Sequence, residues 1–213
     1  MQGRKTTGVT LQTLHPEHFD QGAIVAQRPF NIPNEGACTF KELYNHSAEV
    51  AADLLIESLL NQSYLHPQPQ PTASKDHLTH ARKVTPEDAH VDWHQWPAAR
   101  ILRTQRALGQ VWSHHEVSNG KLIRVQWHGF RPLNQTVGAG QEVKPGQPLL
   151  TSSAAAAAQE SRATEASVKN DDLAAIPTCD GRYLAIDSVT IEGRKKHEAA
   201  VKGVQMLLDG SMR

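Results

Sequence analysis

Gly8–Gln27 reads GVTLQTLHPEHFDQGAIVAQ, and the way this stretch folds decides what the rest of the chain is built around. Gly8–Leu14 alternates small or polar residues with β-branched or apolar ones, which predicts a strand. Ala23–Gln27 (AIVAQ) predicts a second short strand, stopped by Pro29. Between them His15–Gly22 carries a helix-incompatible Pro16 and a Gly22 free to take positive φ. Two strands that hold His15, His18 and Asp20 on a connecting loop make a candidate active-site edge. The same residues also suit an ordinary turn capped by Asp20. Spacing alone favours the turn.

Outward from this stretch, 213 residues suffice for one large domain or two small ones. The apolar share, 38%, is low enough to predict that part of the chain is linker. Lys+Arg and Asp+Glu are 22 each, so a nucleic-acid partner must be met by a local cluster and not by the net field. Cys38 and Cys179 lack metal-ligand spacing and predict free thiols of a reducing compartment. No apolar run reaches membrane-spanning length, so no membrane partner is expected. Met1–Lys5 shows no signal-peptide core and no Arg/Ser-rich presequence.

Thr39-Phe40-Lys41-Glu42 has the form of a capping box. Phe40, Leu43, Tyr44, Ser47, Ala51, Leu54, Leu55 and Ser58 recur at helical spacing, which predicts a helix over about 39–60 whose stripe is core. Pro67, Pro69 and Pro71, alternating with Gln, predict an extended spacer over 61–80. Thr85-Pro86-Glu87-Asp88 is a second helix start. Over 97–108, Ala98, Ile101, Leu102, Gln105 and Leu108 share one side and Arg100, Arg103 and Arg106 a neighbouring one, with Gly109 ending the helix. Strands are expected at 111–117, 122–130, 175–179 and 183–191, with turns at 118–120, 143–146 and 180–181, and a closing helix at 197–208. The polar, low-complexity run 151–172 has nothing to bury and predicts an insertion without fixed structure.

A resemblance adds to this reading. Thr7-Gly8-Val9-Thr10, followed by Asp20-Gln21-Gly22 and an apolar strand, resembles the second half of a folate-dependent formyltransferase catalytic domain. His80-Ala81-Arg82-Lys83, Thr85-Pro86-Glu87-Asp88-Ala89, Val91-Asp92-Trp93 and Arg106-Ala107-Leu108 resemble the start of the C-terminal domain of the methionyl-tRNA formyltransferases. Glu192-Gly193-Arg194-Lys195-Lys196 matches that family's G-K-K/R run. The family's Pro-Trp-Pro turn is replaced here by Gly109-Gln110-Val111-Trp112.

The resemblance implies an α/β then mostly β fold. Residues 1–60 form the C-terminal half of a Rossmann-like formyltransferase domain, 61–80 a Pro-rich linker, and 81–213 a small open β-barrel of the oligonucleotide-binding (OB-like) type with its insertion at 151–172. It implies that Asp20 is the last member of an Asn/His/Asp catalytic set. The Asn and His belong to N-x-H and H-x-S-L-L-P segments ahead of the matched strand, and His15 and His18 stand in the wrong order to replace them. The co-substrate implied is 10-formyltetrahydrofolate, most of whose site lies in those preceding segments. No metal is expected: His15, His18 and Asp20 are loosely spaced, and no further ligand completes them. His114-His115 and His77/His80 read as surface histidines.

The partner implied is initiator methionyl-tRNA, met by Arg82, Lys83, Arg100, Arg103, Arg106, Arg124, Arg194, Lys195 and Lys196. Without the resemblance the same cations read as a solvated helix face and a solvated turn. Two functions therefore stand side by side: a truncated methionyl-tRNA formyltransferase that is inactive alone, or a non-catalytic tRNA-binding or complementing module. Formyltetrahydrofolate dehydrogenase and sugar formyltransferases are weaker resemblances. A mitochondrial matrix location and a monomer are expected. Half a sheet should also leave an apolar face without a partner.

Overall fold

The computed structural model describes residues 1–71, 81–117, 120–136, 144–152, 172–194 and 197–210. The 72–80 part of the expected linker (with His77 and His80), Ser118 and Asn119 of the expected hairpin turn, nearly all of the 151–172 insertion, and Lys195 and Lys196 lie outside them. The chain forms two compact units, Gln2–Val84 and Thr85–Arg213, Met1 going with the latter.

In the first unit β1 (Thr6–Gln12) and β2 (Ile24–Asn31) pair antiparallel, Thr6 opposite Asn31 and Leu11 opposite Ala26. Pro29 does not stop β2. It sits opposite Gly8 inside the strand. In a two-stranded ribbon alternate main-chain N–H groups face an unpaired edge, so a residue without one is tolerated there. Helix α1 (Phe40–Leu60) starts at the expected capping box. The Glu42 carboxylate accepts the Thr39 N–H at 2.7 Å, and the Glu42 N–H donates to Thr39 Oγ1 at 3.2 Å. An Arg28–Glu57 ion pair ties β2 to α1. The stripe expected to be core is core only in part. Leu54 and Ser58 are buried, while Phe40, Tyr44 and Leu55 are 66%, 64% and 44% exposed. A ribbon of two strands is too narrow to cover more than one edge of a helix stripe.

The second unit is built on two four-stranded antiparallel sheets. One has the order β10-β9-β4-β3, from β3 (Val111–Glu116), β4 (Leu122–His128), β9 (Ser188–Ile191) and β10 (Glu198–Ala199). The other runs β5-β8-β7-β6, from β5 (Arg131–Thr136), β6 (Leu149–Ser152), β7 (Asp172–Pro177) and β8 (Arg182–Ala185). The expected strand 183–191 is thus two strands in different sheets. Its imperfect alternation records the crossing: Leu184 and Ile186 are inward before Asp187, Val189 and Ile191 after it.

The neighbouring strand crosses at the same corner, through Gly129. That glycine has φ +72, and a Cβ on it would collide with the Asp187 side chain. Asp187 in turn donates its N–H to His128 O at 3.1 Å and pairs with Arg131 at 2.7 Å. Because both strands bend there, the pairing among the described residues makes two open sheets and not the single barrel-like sheet expected.

One core lies between the sheets and their helices, with Ile101, Val111, Val125, Trp127, Ile176, Leu184, Val189, Ile191 and Val204 fully buried. Trp127 donates to Ser113 Oγ at 2.8 Å, and Trp93 meets Trp127 and Phe130 edge-on. The expected helix at Thr85 is a single 3₁₀ turn, Pro86–Ala89. Helix α2 (Ala98–Leu108) ends on Gly109, as its sequence predicts. Helix α3 (Ala200–Asp209) buries Ala200, Gly203, Val204 and Leu207. Leu208 is 45% exposed.

Candidate functional site

The Asp20 loop is closed at its base by Thr13. Its N–H donates to Ala23 O, and its Oγ1 accepts the Ala23 N–H, both at 2.9 Å. Gly22 is buried there, and a Cβ on it would overlap the Thr13 carbonyl. His15 Nδ1 accepts the N–H groups of Glu17 and His18 at 3.2 and 3.1 Å, and the two imidazoles stack at 5.2 Å. These histidines therefore shape the turn. Asp20 itself has φ +59, a left-handed conformation that Asp tolerates better than most residues. Its carboxylate is exposed and receives one long hydrogen bond, from Gln12 Nε2 at 3.4 Å.

A residue that sequence reasoning missed holds this loop. Gln70 Nε2 donates to the carbonyls of Asp20 and Gly22 at 2.8 and 2.9 Å, and contacts Gln12 Oε1 at 3.2 Å. Gln68 and Ile24 exchange main-chain bonds at 2.7 Å, which seats this segment against the loop. The alternating Pro/Gln pattern was the available signal. It fixes an extended backbone with every second side chain an amide, a shape suited to lying along a strand edge. The result is one exposed carboxylate on a loop whose backbone is hydrogen-bonded from two sides. Such a group can accept a proton or orient a donor if a substrate is brought to it.

The basic residues divide by setting. Arg82 and Lys83 are exposed, with Arg82 donating to the Lys83 carbonyl. On α2, Arg100 is exposed and stacks over Trp96 at 4.0 Å. Arg103 and Arg106 are half-buried. Arg103 Nε donates to the Met1 carbonyl at 2.7 Å, and Arg106 Nε is buried without a hydrogen-bond partner. The α2 row is therefore not a uniformly solvated face. Arg103 and Arg106 both act on the Met1 amino group, whose pKa is lowered first by burial and then by these two cations. Arg124, on β4, lies over the Trp112 ring at 4.2 Å. Arg194 is half-buried and reaches Glu198 at 4.0 Å. Lys195 and Lys196 lie outside the described residues.

Two further polar features belong to the second unit. Asp180 accepts the Ala98 N–H at 3.1 Å and the Thr178 hydroxyl at 2.6 Å, capping α2 from a distant turn. Burial is the largest influence on this carboxyl and opposes its ionisation. The bonds from Thr178, Ala98 and its own backbone, with Arg182 nearby, outweigh burial and hold it below the usual carboxylate range. His128 and His197 share the Thr190 hydroxyl at 3.1 and 2.9 Å, and burial, then His197, lowers the His128 pKa. Among the described residues no three His, Cys, Asp or Glu side chains gather as metal ligands, and no helix is long and apolar enough to cross a membrane. Cys38 and Cys179 are free thiols.

Solved structures share this chain's fold, and sequence relatives share one description. HypX from Aquifex aeolicus, in complex with tetrahydrofolic acid, superposes with a TM-score of 0.58 at 21% identity over 98% of this chain and 31% of its own. A HypX variant gives 0.57 at 22% identity. No family model matches the chain. The mitochondrial methionyl-tRNA formyltransferase of Saccharomyces cerevisiae is 32% identical over 156 residues, 60% of this chain and 38% of that protein. The Rattus norvegicus mitochondrial enzyme is 29% identical over 70% of this chain and 41% of its own. The Bartonella tribocorum methionyl-tRNA formyltransferase is 36% identical over 51% of this chain and 33% of its own.

The chain is thus a homologue of formyltransferases. In particular it is a distant homologue of the methionyl-tRNA formyltransferases, mitochondrial and bacterial, and spans about two-fifths of the mitochondrial relatives it matches.

Proposed function

We propose that the chain is a portion of a methionyl-tRNA formyltransferase, which moves a formyl group from 10-formyltetrahydrofolate to the amino group of initiator methionyl-tRNA. The homology to the Saccharomyces cerevisiae and Rattus norvegicus enzymes carries this reading, and their location makes the mitochondrial matrix its proposed site of action. Formyl transfer to an amine is acyl transfer. The amine must lose a proton, and the tetrahedral oxyanion must be stabilised. Asp20 supplies the first requirement in part: its exposed carboxylate, on a loop fixed by Thr13 and Gln70, orients a proton carrier at the reacting amine. The oxyanion-stabilising Asn and His, and most of the folate contacts, come from segments other than those in this chain. Alone it binds tRNA and does not transfer formyl. Residues 81–213 are the proposed RNA-binding domain and 1–60 the proposed catalytic portion, acting as a monomer.

A second reading is favoured by the exposed face of α1. Phe40, Tyr44, Ile56 and Leu59 are 56 to 66% exposed on a helix whose other side is seated on the hairpin. A complementing chain that supplies the rest of the catalytic domain would cover them. The test is formylation of initiator methionyl-tRNA by the purified chain, with and without a fragment of a bacterial relative ending before its matched strand, alongside tRNA binding at two salt concentrations. The reading expects no transfer alone, salt-dependent binding, and weaker binding after neutralisation of Arg100, Arg103, Lys195 and Lys196. Binding untouched by those changes, salt dependence included, defeats it. Transfer restored by the added fragment selects the complementing reading, and no restoration removes it.

A further inference from the structure

We propose that the outward face of β3 and β4 carries a contact site for unpaired RNA nucleotides, built from Trp112, Arg124, His114 and His90. The proposal rests on the RNA-binding reading above and names which part of the RNA this face takes: a splayed base with its flanking phosphate.

The core does not account for these side chains. Along β3 the buried residues are Val111 and Ser113, and along β4 Ile123, Val125 and Trp127; the cluster comes from the alternate, outward positions. In the antiparallel register His114 lies directly opposite Arg124, so the two side chains emerge side by side. The Arg124 guanidinium stands 4.2 Å over the Trp112 ring. His90 is brought alongside by the bond from Val91 N–H to Trp112 O at 2.8 Å, and its ring lies 4.3 Å from Trp112. His114 stands perpendicular to Trp112 at 5.3 Å and is exposed. Trp112 is oriented from the edge of β3, where its Nε1 donates to the Pro86 carbonyl at 2.8 Å.

Arg124 is the full cation of the group, and its guanidinium packs on Trp112. Its Nε is buried and has no hydrogen-bond partner, and the carboxylate that reaches it, Glu192, accepts its main-chain N–H at 2.8 Å. A guanidinium stacked on an aromatic ring can still bind an oxyanion through its planar fork of N–H groups. Three planar rings around one full cation match a base plus one phosphate. An acidic peptide would be met better by several cations and fewer rings. Rings on a sheet face reach only bases whose faces are open, so unpaired nucleotides are taken and a closed duplex is not.

The experiment uses the full chain and fluorescence anisotropy. The probes are a fluorescein-labelled unpaired RNA octamer, the same sequence closed into a hairpin duplex, whole initiator tRNA and a fluorescein-labelled Glu-rich octapeptide. The wild-type chain should bind the unpaired octamer more tightly than the duplex. His114→Ala, exposed and harmless to folding, should weaken octamer binding at least about fivefold. Trp112→Leu should do the same or more. Arg124→Gln should weaken it and reduce the salt slope by about one. If initiator tRNA binds but His114→Ala and Arg124→Gln leave octamer and tRNA affinities unchanged, this site is refuted and the RNA-binding reading survives. If neither RNA binds, both fall. Preference for the peptide over the octamer, lost in Arg124→Gln, would also overturn the proposal.

Discussion

Gln2–Val84 and Thr85–Arg213 use the same kinds of amphipathic element and reach different depths of burial. In the first unit only Gly22, Leu54 and Ser58 are buried among the described residues. In the second, two sheets and two helices close over a core that excludes water from Trp127 completely. A helix stripe shows which side of a helix is apolar, but what covers that side is a tertiary matter. The α1 stripe has the right period and finds only a two-stranded ribbon beneath it. The α2 and α3 stripes find whole sheets. All four tryptophans, Trp93, Trp96, Trp112 and Trp127, lie in the second unit, so their fluorescence reports that unit alone.

The comparison breaks most readily at Trp127. Trp127→Ala removes the largest fully buried side chain and orphans Ser113. It should cost about 3–5 kcal/mol, read as an early urea transition in the emission of the remaining tryptophans. Leu54→Ala in the first unit should cost about 2 kcal/mol, the low end for such a truncation, because its surroundings are already open to solvent. Amide exchange in α1 should accelerate while tryptophan emission stays unchanged. Equal losses at the two positions would mean that the units do not differ in packing.

Asp180→Ala sharpens the account of the second unit by deleting the cap of α2, at a cost of about 1 kcal/mol. Asp180→Asn should keep the cap and lose its pH dependence. The folded carboxyl sits below its ordinary value, so the unfolded chain takes up the proton first. The contribution is therefore complete above the ordinary Asp range and lost as pH falls through the lower folded value. Urea midpoints between neutral pH and the acid range should converge for wild type and Asp180→Asn. The smallest effect is expected from Gln70→Ala. It frees the Asp20 and Gly22 carbonyls to solvent, so little stability should be lost. Amide exchange at 19–22 should rise, and if it does not, Gln70 does not hold the loop.

Much of this was legible in advance because it rests on local chemistry. The capping box at Thr39 and the Gly109 stop follow from backbone donors and from φ alone. In the hairpin the positive φ expected at Gly22 falls on Asp20, and Gly22 is required instead by its close approach to the Thr13 carbonyl. The corner at Gly129 and Asp187 was visible only as a flaw in the alternation after Ile186. Reading it needed the knowledge that two strands bend at one place. Pro29 was misread because the rule that proline ends a strand assumes both edges are paired. Gln70 was hidden because a proline-interleaved segment looks like spacer until the strand edge it lies along is known. The basic residues were identified by type, whereas their settings, Arg100 on Trp96 and Arg124 on Trp112, depend on contacts that helical spacing does not encode.

The most direct test of the central claim is hydrogen–deuterium exchange across the full chain, with and without initiator methionyl-tRNA. The account predicts protection in Thr85–Arg213, centred on α2 and on β3 and β4, with α1 exchanging unchanged. Protection confined to Gln2–Val84, or none in either unit at saturating tRNA, would contradict it.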